Sequence, residues 1–113
     1  MARISTHVLD TSRGKPAQGL KIDLHFSGSR IATAATNADG RTDAPLVSAE
    51  RLETGVYELT FHAGDYFRAT GVDVTAPPFL GDIVIRFGVA DPEGSYHVPL
   101  LVSPYGYSTY RGS

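Results

Sequence analysis

The side chains with the widest chemical reach in this 113-residue sequence are four histidines, His7, His25, His62 and His97. Histidine is the side chain whose ordinary pKa lets it exchange a proton near neutrality, so it serves as general base, proton shuttle or metal ligand. His25 alternates with Lys21 and Asp23 along a strand-like segment, which puts it on a solvated polar face. His62 closes another such segment and reads the same way. His97 stands apart. One face of its segment carries His97, Pro99, Leu101 and Ser103, and the other carries Val98, Leu100 and Val102. A strand apolar on both faces is covered on both, here by its own core and by another subunit. A histidine at the mouth of such a surface is placed to have a shifted, poised pKa. His7 shares a mixed strand face with Ser5 and Leu9. Arg41 follows the turn Asn37–Gly40, and a guanidinium there offers a planar, forked grip on an oxygen-rich ligand. Tyr110-Arg111-Gly112-Ser113 bring a ring, guanidinium donors, a hydroxyl and a terminal carboxylate together in a short tail. Termini fray unless tied down; a pinned tail would supply these groups to a site.

Other chemistries lack their patterns. A zinc site from His7, His97 and a carboxylate has neither HxH nor HExxH spacing behind it, so no metal is expected. There is no GxSxG elbow for a Ser-His-Asp triad. Neither GxxxxGK[ST] nor GxGxxG occurs, which leaves no phosphate cradle and no expected cofactor. Cysteine is absent, which removes disulfides and thiolate chemistry and fits a reducing compartment. The formal net charge is -2, so nucleic acid is not an expected partner. MARISTHVLD carries no apolar run and does not read as a secretory signal. No segment approaches the roughly 18 apolar residues of a membrane span. The expectation is a cytoplasmic protein without a membrane contact.

The elements that must position these groups are short strands. Ile4–Leu9 alternates, and Asp10–Gln18 is turn chemistry. Leu20–Ser27 points Leu20, Ile22, Leu24 and Phe26 one way and Lys21, Asp23, His25 and Ser27 the other, as a half-buried antiparallel strand does. Arg30–Thr36 is a weaker strand. Thr42–Pro45 is edge strand or loop, and Ser48–Glu53 can form a short turn of helix. Val56–His62 aligns Tyr57, Leu59 and Phe61; Ala63–Gly71 has helical spacing and ends in Gly. Ile83–Val89 follows. Tyr96–Val102 and Tyr105–Arg111 close the chain as two strands around the turn Ser103–Gly106. Seven or eight short strands with one helix in a single domain, residues 1–113, argue for an all-β, two-sheet β-sandwich.

Three separated motifs are similar to those of one family: STHVLDTSRGKPAQGL at Ser5–Leu20, TNADGR at Thr36–Arg41 and YHVPLLVSPYGYSTYRGS at Tyr96–Ser113. Together they resemble the 5-hydroxyisourate hydrolases, the transthyretin-related enzymes of purine breakdown. The closing Tyr-Arg-Gly-Ser separates those enzymes from transthyretin itself. The resemblance implies a transthyretin-like sandwich of two four-stranded sheets, with the helix after the fifth strand and the first strand beside the last two. It implies a metal-independent hydrolase that opens the ring of 5-hydroxyisourate to 2-oxo-4-hydroxy-4-carboxy-5-ureidoimidazoline in urate degradation. It carries His7, Arg41, His97 and Ser113 into catalysis, and His7, Arg41, Tyr110 and Arg111 into substrate binding. Which histidine is the base stays open. A homotetramer, a dimer of dimers with sites at the subunit interface, is expected.

Val8–Phe67 also resembles the carboxypeptidase regulatory-like and prealbumin-like modules, with the opening VxDxxxGxPxxGxxxxL and the NADG turn. That resemblance implies a small-ligand binding module without catalysis. A self-assembling sandwich with no small ligand is a third reading. Neither explains why His97 and the Tyr-Arg-Gly-Ser tail occur together.

Overall fold

The computed structural model describes residues 1–113. Alternating apolar residues set the architecture. Strand β1 (Ala2–Asp10) buries Ile4, Thr6 and Val8, and β8 (Ser95–Ser103) buries Tyr96, Val98, Leu100 and Val102. They pair in parallel, from Arg3 opposite Ser95 to Asp10 opposite Val102. β2 (Lys15–Pro16) and β5 (Val47–Ala49) pair with β1, and β9 (Gly106–Thr109) pairs with β8, to complete one sheet. The second sheet has the order β4 (Ser29–Ala35), β3 (Lys21–Phe26), β6 (Gly55–His62), β7 (Asp82–Val89). Its inner residues include Ile22, Leu24, Tyr57, Leu59, Phe61, Ile83 and Ile85, which meet the first sheet in one core. Helix α1 (Ala63–Ala69) follows β6 and buries Tyr66 and Phe67. No helix is long and apolar enough to cross a membrane.

The sandwich and its single helix match the expectation from the sequence, and the first strand shares a sheet with the last two, pairing with β8 but not β9. The first sheet has five strands rather than four, because the short β5 adds to β1, and the helix accordingly follows β6 rather than a fifth strand. Four local readings are corrected. Ser48–Glu53 does not form a helical turn: Val47–Ala49 is a strand, because Ala2, Arg3 and Ile4 offer it an edge to pair with. Asp23 is buried despite its polar neighbours, and His62 is half-buried rather than solvated. The two answer each other. His62 Nε2 lies 2.9 Å from Asp23 Oδ2, and His62 Nδ1 lies 3.0 Å from Asp82 Oδ1. The Asp23 hydrogen bond chiefly, and then Asp82, push the His62 pKa up against its burial. The His62 bond chiefly holds the Asp23 carboxyl below its usual range. The last strand is also shorter than Tyr105–Arg111; it ends at Thr109.

Buried Asp10 explains the first motif. Its Oδ1 accepts from the backbone N–H groups of Ser12 and Arg13, and its Oδ2 accepts from Tyr66 Oη at 2.8 Å. A buried carboxylate without such donors would be strongly destabilising. This one instead ties the β1–β2 turn to the helix.

Candidate active site

The outer face of the first sheet carries Arg3, Ser5 and His7 on β1, with Ser95, His97 and Pro99 beside them on β8. Period-2 alternation puts these side chains opposite the core-facing set. The register places Ser5 beside His97 and His7 beside Pro99. Ser5 Oγ and His97 Nδ1 are 2.9 Å apart. One residue along, Thr6 Oγ1 donates to the Val98 carbonyl at 2.7 Å, an additional tie between the two strands.

The Asn37–Arg41 loop brings Arg41 to this face. Asn37 folds the loop: its Oδ1 accepts from the N–H of Asp39 and of Arg41, and its N–H donates to the Arg41 carbonyl at 2.7 Å. Gly40 has φ +75 and lies so close to the Val8 carbonyl that a Cβ would collide with it. Val8 N–H donates to the Gly40 carbonyl at 2.8 Å, which docks the loop on β1. Arg41 thereby bridges to His7 as an antiparallel partner. His7 Nε2 donates to the Asp39 carbonyl at 2.9 Å. A carbonyl only accepts, so in neutral His7 the proton is on Nε2 and the lone pair on Nδ1.

Arg3, Ser5, Arg41, Ser95, His97 and Ser113 line a groove of about 290 Å³. Burial chiefly, then the Arg41 guanidinium and then His7, hold the His97 pKa below the ordinary histidine value. His97 is therefore a neutral imidazole at neutral pH. Its Nε2 has no protein partner, since the one hydrogen bond of the ring uses Nδ1. Neither Arg3 nor Arg41 is paired with a carboxylate, so both cations are free to meet an electron-rich ligand.

The tail is tied down through Gly112. Its N–H donates to the His97 carbonyl at 2.8 Å. A Cβ built on Gly112 would stand 2.6 Å from His97 Cδ2 and 3.2 Å from Pro99 Cγ. Glycine thus lets the tail lie against the imidazole and delivers Ser113 to the groove.

The structure brings Arg41, His97 and Ser113 together on the groove. His7 sits beside it, bonded to the Asp39 carbonyl. Tyr110 and Arg111 lie elsewhere in the protomer. The Arg111 guanidinium is 4.4 Å from the centroid of the Tyr96 ring, and its Nη2 donates to the Ser95 carbonyl. Both residues line a separate cleft with Ile85, Phe87 and Val98. Ser5 and Arg3 line the groove and were not singled out from the sequence. The signal for Ser5 was its shared strand face with His7; nothing in the sequence placed Arg3 near His97.

Comparison with known proteins agrees along the whole chain. The HIUase/Transthyretin family model matches residues 4–112. The chain is 58% identical to 5-hydroxyisourate hydrolase 2 of Rhizobium meliloti (strain 1021), over 98% of this chain and 96% of the relative. The solved structure of Klebsiella pneumoniae 5-hydroxyisourate hydrolase is similar at a TM-score of 0.86 and 38% identity, covering 100% of both chains. The crystal structure of (S)-allantoin synthase is similar at a TM-score of 0.91 and 41% identity, with 99% of this chain spanning 44% of that longer one.

Proposed function

The chain belongs to the HIUase/transthyretin family, and from that premise we propose that it is a hydrolase that opens the ring of 5-hydroxyisourate. The observation that carries the reading is the convergence of Arg41, a neutral His97 and the Gly112-pinned Ser113 on one groove. The substrate is a cyclic amide, and water must attack its carbonyl carbon. In the reading favoured here, His97 Nε2 takes the proton of the attacking water. Arg41 receives the negative charge that develops on the carbonyl oxygen. The carbon–nitrogen bond of the ring then breaks, and the proton held on His97 passes to the departing nitrogen; the new carboxylic acid then gives up the second proton of the water to solvent and becomes a carboxylate. Ser113 orients the water from the other side of His97. His7 holds the substrate through its Nδ1, with its ring steadied by the Asp39 carbonyl.

The general base and the cation for the oxyanion both come from the chain, so we propose a metal-independent reaction. Tyr110 and Arg111 would meet the substrate only across an interface, from a neighbouring copy. That fits a dimer of dimers with sites between subunits. Exposed Phe79, Tyr105, Tyr107 and Tyr110 supply apolar surface for such contacts. The purine-breakdown role and the absence of cysteine are consistent with a cytoplasmic enzyme.

The test is the near-UV absorbance of freshly made 5-hydroxyisourate. The protein should remove it faster than its spontaneous decay. A rate equal to buffer would favour the non-catalytic binding-module reading, which calorimetry with the same ligand would then examine.

A further inference from the structure

We propose that Ser5 is a positioning residue for the reaction: its hydroxyl accepts the Nδ1–H of His97 and makes Nε2 the basic atom presented to the groove. The kinetic half of this inference rests on the hydrolase reading; the tautomer half does not.

A neutral imidazole carries one proton on either of two nitrogens, and the partner of one nitrogen decides the role of the other. A base at Nε2 requires the proton on Nδ1. Left to itself, a histidine side chain favours the opposite tautomer, with Nε2 protonated and no lone pair there. Something must hold the proton on Nδ1, and the one group within hydrogen-bond distance of that nitrogen is Ser5 Oγ at 2.9 Å. Ser5 Oγ makes no other hydrogen bond in the protein, so it is not committed elsewhere.

The geometry is built rather than incidental. Ser5 and His97 are register partners in the longest strand pairing of this sheet, where eight consecutive residue pairs run from Arg3–Ser95 to Asp10–Val102. Ile4 and Thr6 on either side of Ser5 are 0% and 2% exposed, so the strand cannot roll. Thr6 also bonds the Val98 carbonyl. On the other side of the ring, Gly112 packs against His97 Cδ2. The imidazole is thus held at its Nδ1 and along its carbon edge, which leaves Nε2 as the free atom. The logic is that of any histidine base whose second nitrogen is oriented by a third group. Here the third group is a neutral hydroxyl, which adds no charge to the site.

The experiment combines ring-nitrogen NMR of the ¹⁵N-labelled full chain with steady-state kinetics on 5-hydroxyisourate. In the wild type, His97 should show the Nδ1–H tautomer. Ser5→Ala should shift it toward Nε2–H and lower kcat by roughly 10- to 100-fold with KM unchanged, because Ser5 acts through His97. Ser5→Thr, which keeps the hydroxyl, should restore both. A wild-type His97 in the Nε2–H form overturns the inference whatever the variants do. So does a Ser5→Ala protein with unaltered tautomer or wild-type kcat, or one changed in KM alone. A covalent adduct on Ser5 after acid quench would make it a nucleophile and overturn the positioning role. The spectra need no substrate, so they decide the tautomer even if the wild type fails to accelerate ring opening, in which case the hydrolase reading fails instead.

Discussion

Substituting Gly112 by alanine probes the contact that joins the tail to the site. The added Cβ would meet His97 Cδ2 at 2.6 Å and Pro99 Cγ at 3.2 Å. Carbon atoms in ordinary contact stand about 3.5–4.0 Å apart, so something must move by about 1 Å. Pro99 is buried and His97 is fixed by its ladder, which leaves two ways out. Either the imidazole turns away and strains its bond to Ser5, or the tail lifts and loses the Gly112 N–H bond to the His97 carbonyl. Both displace groups of the proposed site, and misplacement of catalytic groups by about 1 Å costs about 100-fold in rate. The stability cost is that of one peripheral hydrogen bond, about 1 kcal/mol, so Tm should fall by only a few degrees. Gly106→Ala is the control, since its nearest neighbour would be Ser103 Oγ at 3.7 Å, an ordinary contact. The assay is absorbance decay of 5-hydroxyisourate alongside a thermal melt. Gly112→Ala with wild-type turnover and an unchanged melt would refute the packing argument.

A chain ending at Thr109 should stay folded yet lose turnover; one that keeps wild-type turnover would remove Ser113 from the site. His97→Asn should lower turnover by roughly 100-fold or more, His7→Asn should chiefly raise KM, and His25→Asn should leave both unchanged, which paired rate measurements will show. The lowered His97 pKa keeps the base neutral down to below about pH 6.5, so the pH–rate profile should fall only at more acid pH; a fall beginning above that value would contradict the assignment. His62 and Asp23 titrate in opposite senses. The raised His62 pKa stabilises the fold below about pH 6.5 and the effect is lost as pH rises through its folded pKa; the lowered Asp23 pKa stabilises above about pH 4 and is lost as pH falls through its folded pKa. Urea melts of His62→Gln should therefore show the largest loss, about 2–3 kcal/mol, between about pH 4 and 6.5, and a loss independent of pH would refute the ion pair. Light scattering at micromolar concentration should give a tetramer, and a stable monomer would sink the proposed interface.

The fold was legible because alternation reports which face of a strand is buried, and the runs at Leu20–Phe26, Tyr57–Phe61 and Ile83–Val89 alternate cleanly. Arg41 and His97 enter the proposed site through the three family motifs; by themselves a turn before Arg41 and a strand apolar on both faces around His97 specify no role, since most such residues are structural or solvated. What stayed hidden depends on register between distant segments. Ser5 meets His97 only because β1 and β8 pair in parallel at one offset, and alternation fixes the parity of that offset, since a one-residue slip would turn the buried set outward, but not its value. His62 reads as solvated until Asp23 and Asp82 arrive from two other strands. Tyr110 and Arg111 come with the tail motif, but the motif does not say which copy's groove they serve: within one protomer the guanidinium turns to Tyr96 and the serine to the groove. The strand at Val47–Ala49 was missed because three residues are too few to show a period.

The most direct test is the decay of fresh 5-hydroxyisourate in buffer alone, with the wild type and with His97→Asn, at one pH near neutrality. The account predicts rapid loss with the wild type and a rate close to buffer with His97→Asn at an unchanged melting temperature. Wild-type decay no faster than buffer, or equal decay with both proteins, would contradict it.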